Sequence, residues 1–241
     1  MRLELLACEI MFRELSYYAA KSPHVIDAKF LSKGLHDNPA TGRETLQKLI
    51  DETDEKEHQA IIVGYCLCSN MVVGLQARGI PLIIPKAHDC IALFMGSKDT
   101  YAKYFREKPG TYFYTAGWLE RNDAHVERTP ASGEGMGKSL QQFIEEYGED
   151  NGRFLYEFDN QWQKNYTTAC YIEMPLSHRE DVREEAQRVA AKHSWEYLEM
   201  PGCERLFEAL VNGDWSEQDF LTVKPGQSVL AEHGDEVIVA A

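Results

Sequence analysis

The feature that most constrains this chain is a pair of short, unbroken apolar runs, residues 59–65 (QAIIVGY) and 80–84 (IPLII). A strand with one wet face alternates apolar and polar side chains, so a run without that alternation is buried on both faces. Burial on both faces is the mark of a parallel sheet covered by helices on each side. The flanking sequence fits such a sheet. Residues 2–8 (RLELLAC) read as a buried strand, 10–20 as a helix and 25–31 as a second strand. Residues 41–51 read as an amphipathic helix with Leu46, Leu49 and Ile50 on one face. Helices are further expected at 70–78, 89–96 and 97–107, and an extended segment at 110–118. The chain is therefore expected to be α/β, with a doubly wound, mostly parallel, Rossmann-like sheet.

Residues 121–137 (RNDAHVERTPASGEGMG) are small and polar and mark a linker or loop. Beyond them the βα pattern resumes, with helices at 138–147, 148–164, 177–193 and 203–212, and strands at 167–173, 195–200, 219–223 and 236–240. The expected organisation is an N-terminal lobe over 1–120 and a second, smaller α/β lobe over 138–241.

The cysteines fall at telling places. Cys8 ends the first strand, Cys66 and Cys68 follow the 59–65 strand, and His88 and Cys90 follow the 80–84 strand. In a parallel sheet all carboxyl ends share one edge, where α/β folds place their ligands. Three distant segments are thus expected to meet, with Cys8, Cys68, His88 and Cys90 as one metal site. Three thiolates and an imidazole suit a tetrahedral zinc, and the same thiolates suit an iron–sulfur cluster; both stay open at this point. A buried cysteine is also an ordinary small hydrophobe, so a chain without metal is the competing reading. Cys170, inside a strand, reads as core. Whether Cys66, or Cys203 at a later strand–helix junction, joins the site is not fixed by the sequence.

Around this rim, His36 and Glu9 are candidates for proton transfer beside a metal. Tyr65 and Trp118 are candidates to line a pocket for a flat or methylated ligand, with Tyr112 and Tyr114, and Lys86 is a candidate to bind an anionic group. The glycine-rich stretch at 132–137 has the wrong spacing for a phosphate loop and follows no apolar strand.

Composition narrows the classes. The 241 residues carry 39 acidic and 25 basic side chains, a formal net charge of −14. Such a surface repels phosphate backbones and anionic lipid, which argues against nucleic-acid and membrane partners. No apolar run is long enough to span a bilayer, and Glu4, Glu9 and Glu14 interrupt the first apolar stretch, unlike a signal peptide. The expected compartment is the cytoplasm, where reduced cysteines favour metal ligation over disulfides. Exposed strand edges leave room for an oligomer without requiring one.

At these residues the sequence resembles the DUF1638 family of bacterial and archaeal proteins. The resemblance is carried by LLACEIMFREL (Cys8, Glu9), GLHDNP (His36), YCLCSN followed by GL (Tyr65, Cys68, Gly74, Leu75), IPKAHDCIALFMGS (His88, Asp89, Cys90, Gly96, Ser97) and PGTYFYTAGW (Gly110, Tyr112, Trp118), with GDWSEQDFLTVKPGQ near the end. Against the family pattern, Cys66 is an extra cysteine where glycine is usual, and Lys86 stands where arginine is usual. The resemblance names no reaction. It implies a setting, because such proteins are often encoded near corrinoid-dependent methyltransferases. A corrinoid protein or methyltransferase is therefore an expected partner, with any corrinoid carried by that partner. The functional expectation is a metal- or cluster-binding enzyme or accessory factor in anaerobic methyl transfer; the alternative is a non-catalytic partner-binding protein with a structural zinc or no metal.

Overall fold

The computed structural model describes residues 1–121, 140–159, 164–232, 234 and 236–241. The expected linker at 121–137 falls almost wholly outside the described residues. The first half runs β1 (Arg2–Cys8), α1 (Phe12–Lys21), β2 (Val25–Leu31), α2 (Pro39–Glu52), β3 (Ala60–Gly64), β4 (Leu82–Pro85), α3 (Ile91–Phe94), α4 (Lys98–Glu107), β5 (Thr111–Tyr114) and α5 (Ala116–Glu120). The remainder adds α6 (Leu140–Tyr147), α7 (Glu149–Asp159), β6 (Thr168–Glu173), α8 (Glu180–His193), β7 (Glu196–Pro201), α9 (Arg205–Asn212), β8 (Phe220–Val223), β9 (Val229–Ala231) and β10 (Ile238–Ala240).

The protein is mixed α/β, with a mostly parallel five-stranded sheet of order β2-β1-β3-β4-β8. β1 pairs in parallel with both β2 and β3, and β3 with β4, whereas β8 closes the far edge antiparallel to β4. The two apolar runs behave as their composition demands. Every residue of β3 and of β4 is buried. β2, at the edge, is half exposed, as its Asp27 and Lys29 require. A second sheet, parallel throughout, has order β5-β6-β7, and β9 and β10 form a short antiparallel pair.

Among the described residues, buried side chains form two apolar clusters. The larger surrounds β1, β3 and β4 and takes in Leu206, Phe207, Leu210 and Val211 of α9. The smaller lies between β5–β7 and α8, around Tyr114, Tyr171, Ala186 and Trp195. Trp118 of α5 packs against both. The chain after residue 138 is not confined to the second sheet, because β8 joins the first and Gln76 bridges to Ser228.

Three details depart from expectation. Residues 70–78 form no helix, because Cys68, Ser69 and Asn70 take left-handed backbone angles of φ 44°, 56° and 66°, which turn the chain instead. Consecutive non-glycine residues in this region are costly, of order 1 kcal/mol or more each. The segment 110–118 is not continuous: β5 ends at Tyr114, and the Thr115 hydroxyl accepts the N–H of Trp118 to start α5. The strand β9 was not expected at all.

The centre of the large sheet is tight. Gly64 of β3 is the cross-strand partner of Ala7 in β1, and a Cβ at Gly64 would stand 2.6 Å from the Ala7 Cβ. Gly64→Ala should therefore cost about 1–2 kcal/mol, the usual range for overpacking. Adding Ala7→Gly should return part of that loss in urea unfolding. Two independent, additive losses would show that the contact is not the cause.

Candidate functional site

The order β1-β3-β4 sets three cysteine-bearing strand ends side by side. Cys8 is the last residue of β1, Cys68 follows β3 by four residues, and Cys90 follows β4 by five. Backbone hydrogen bonds tie the second and third connections together: Leu67 N–H donates to Ala87 O and Cys68 N–H to His88 O, each at 2.9 Å. The left-handed turn then carries the chain away from the rim.

The three sulfurs are mutual electrostatic neighbours. Burial pushes the Cys8 thiol up to about 12, and the nearby Cys68 adds to this, while an N–H bond from Ile10 and the Lys33 ammonium pull the other way. Burial also drives Cys90 well up, with Asp89, Cys68 and Cys8 adding to it. Cys66 is wholly buried, hydrogen-bonds with Cys68, and is likewise driven up, first by burial. Protons on Cys8, Cys66 and Cys90 are therefore held tightly until something positive replaces them. No three ligand atoms of Cys8, Cys68, His88 and Cys90 all lie within 4.8 Å of one another; among the described residues, Glu4, Asp27 and His58 do.

A cavity of about 450 Å³ opens at this rim. Cys68, His88, Cys90, His36 and Trp118 line it, with Asp89 and aromatic rings from α4 and β5 opposite. His88 is exposed and Cys90 partly so. Asp89 is fixed from two sides: its Oδ1 accepts the N–H of Ile91 at 2.9 Å and its Oδ2 accepts the Tyr101 hydroxyl at 2.7 Å. Those donors hold the carboxylate at the start of α3.

The other sequence candidates fall in different places. The Tyr65 ring is buried beneath the rim, 5.9 Å from the His36 ring, with Cys8 and Cys68 as electrostatic neighbours. It does not line the cavity, and its hydroxyl has no hydrogen-bond partner among the described residues. Glu9 borders a different cavity, with Phe12, Arg13, Glu120 and Arg121. Its carboxylate accepts the N–H of Lys33 at 2.9 Å and stands 4.0 Å from Arg121. Lys86 is not a free cation at the rim. It is buried, pairs with Glu236, and is absent from the lining, so an anion-binding role has no support in its position. Tyr112 is on the lining and Tyr114 is not. Cys170 lies buried in β6 beside Tyr104. Cys203 donates its N–H to Phe94 O and rests its side chain on Gly96, away from the cavity lining.

Sequence reasoning missed two features. Lys33 is buried, places its Nζ 4.8 Å over the Trp118 ring and donates to Trp118 O at 3.0 Å. It thereby sets the position of Trp118 and brings a positive charge towards Cys8. A lysine in a Ser-Lys-Gly turn gives no sign of burial. The second is the Glu4–Asp27–His58 group. His58 Nε2 stands 2.9 Å from Asp27 Oδ2 and 3.4 Å from Glu4 Oε2. Arg2 and Lys29 already balance these carboxylates, at 2.6 Å and 2.7 Å. The group is accounted for as an ion-pair network. Its signal in the sequence was Glu4, an acid inside an otherwise apolar strand.

A family described as "Protein of unknown function (DUF1638)" matches residues 30–211. His36, Cys68, His88, Cys90 and Trp118 fall inside the matched stretch, and Cys8 and Glu9 precede it. No curated protein and no solved structure matches the chain.

Proposed function

Since the chain belongs to the DUF1638 family, whose name carries no activity, we propose from the site itself that it binds an iron–sulfur cluster through Cys8, Cys68 and Cys90. The supporting observation is that three cysteines from the ends of three adjacent strands influence one another electrostatically beside a cavity. Three cysteine thiols gathered from separate strand ends are the donor type that iron–sulfur clusters take.

When bound, the cluster would supply Lewis-acid or one-electron chemistry at the cavity wall. The chain's own residues do the rest. His88, exposed on the lining beside Cys90, is placed to serve as a fourth ligand. Lys33 offsets part of the negative charge that three thiolates bring. Trp118 and the other rings on the lining give the cavity an apolar wall, beside which charge interactions are stronger than in water. His36, which is on the lining, would be the group that transfers a proton.

We read the large sheet as Rossmann-like and doubly wound, and the β5–β7 sheet with α8 as a smaller lobe closing the cavity. The functional setting that fits this reading is an accessory or catalytic role in corrinoid-linked methyl transfer, the acidic surface docking a corrinoid protein or methyltransferase. No helix among the described residues is long and apolar enough to cross a membrane.

Anaerobic purification and reconstitution, followed by iron, sulfide and zinc analysis, tests the proposal. The expected result is about four irons and four sulfides per chain with a broad visible absorbance. Zinc near one per chain without iron would replace the cluster with a mononuclear site. Neither metal, after supplementation with both, would remove the reading.

A further inference from the structure

We propose that the cavity at the cysteine rim binds a small organic cation whose charge is surrounded by methyl groups, a quaternary ammonium being the simplest case. The inference deepens the reading above because it concerns the same cavity, but it uses only the walls and their charge and needs no metal.

The walls are aromatic. Phe94, Tyr101, Phe105, Tyr112, Phe113 and Trp118 all line the cavity, and several hold one another in edge or tilted contact: Tyr101 and Phe113 at 6.0 Å, Tyr101 and Phe105 at 6.1 Å. Ring faces carry negative charge density and attract weakly hydrated cations. The volume, about 450 Å³, lies within the range of small-molecule sites, roughly 300–1,000 Å³.

The charge balance points the same way. Among the described residues the lining contains no lysine or arginine, and Asp89 is its single carboxylate. The Ile91 N–H donates to one oxygen of that carboxylate at 2.9 Å and the Tyr101 hydroxyl to the other at 2.7 Å. A partly buried carboxylate supported by hydrogen bonds, with no guanidinium or ammonium on the described lining, is a partner for a cationic ligand. Lys33 lies over Trp118 but outside the lining. An anionic ligand would meet Asp89 and the ring faces with no lysine or arginine among the described lining residues to offset them. A compact, strongly hydrated cation such as ammonium would give up more hydration than the rings return, whereas methyl groups suit the apolar walls.

The test is calorimetric titration of the full chain with choline and with 3,3-dimethylbutan-1-ol, its neutral carbon isostere. Each titration is run as purified and after anaerobic cluster reconstitution. Choline should bind about tenfold more tightly than the alcohol in either form. Asp89→Asn keeps an acceptor for the Ile91 N–H, with its amide N–H donating to the Tyr101 hydroxyl oxygen instead, and should reduce choline binding about tenfold while leaving the alcohol within about twofold. Phe113→Leu, which leaves Asp89 untouched, should weaken choline more than the alcohol. Equal binding of the two ligands, or no choline binding by chain with native circular dichroism, would overturn the proposal. Iron content of the same samples separates the two ideas. Choline selectivity without iron removes the cluster alone, and iron without selectivity removes the cation site alone.

Discussion

Replacing Cys90 with serine is expected to abolish iron and sulfide incorporation while leaving the chain folded. Cys90 sits immediately before α3 and is partly exposed, so an oxygen in place of its sulfur leaves no large void. What is lost is a thiolate. A site built from three sequence-distant thiols has little redundancy, because each comes from a different strand end and no neighbouring cysteine follows the same strand as Cys90. A serine hydroxyl keeps its proton at neutral pH and is a poor substitute for a soft ligand. Cys8→Ser and Cys68→Ser should behave alike. Cys203→Ser should not, because that side chain rests against Gly96. Iron and sulfide assays on the four variants, with circular dichroism as the folding check, decide the matter. Retention of full iron in Cys90→Ser would exclude it as a ligand, and loss of iron in Cys203→Ser alone would move the site.

The second large effect concerns Glu14, a carboxyl on α1 that is 1% exposed. Burial raises its pKa from 4.5 to about 7, and the Ser177 hydroxyl, which donates to Oε1 at 3.4 Å, offsets this only partly. Oε2 has no partner among the described residues. The neighbouring cation, Arg13, is drawn to Glu120 at 2.6 Å. Because the folded pKa lies above the unfolded one, folding takes up a proton between pH 4.5 and about 7. The contribution of Glu14 is therefore complete below pH 4.5 and is lost as pH rises through 7. Glu14→Gln removes the charge and should stabilise the protein at pH 8 by roughly 2–3 kcal/mol. At pH 4 it should change stability little. Urea unfolding at the two pH values measures the difference. An equal effect at both would show that the carboxyl is not forced to ionise in a buried place.

Much of the sheet was legible from local pattern. A run such as AIIVG has no polar residue to place in water, so it had to be buried on both faces, and parallel pairing followed. The cysteine positions were legible for the same reason, since strand ends could be read and parallel strands share an edge. The turn at Cys68–Asn70 was not. Its sequence, CSNMVVGLQ, has helical spacing, and only the connection to His88 and the exit from the rim impose left-handed angles on three residues. Lys86 looked like a lone cation near the site because its partner, Glu236, is 150 residues away. The Asp89 carboxylate was legible as a helix cap, but its exposure to a cavity walled by α4 and β5 was not.

The sequence by itself determined that this is an α/β chain with a buried parallel sheet and that thiols stand at three of its strand ends. Those properties depend on hydrophobic period and on position along each strand, which are local. The tertiary structure alone decided that β1, β3 and β4 are neighbours in that order, that Glu9 and Lys86 belong to other contacts, and that aromatic rings line the cavity at the rim. Strand order and cavity walls are set by packing between segments far apart in the chain, where the free energy of burial depends on the whole assembly and leaves no local periodicity to read.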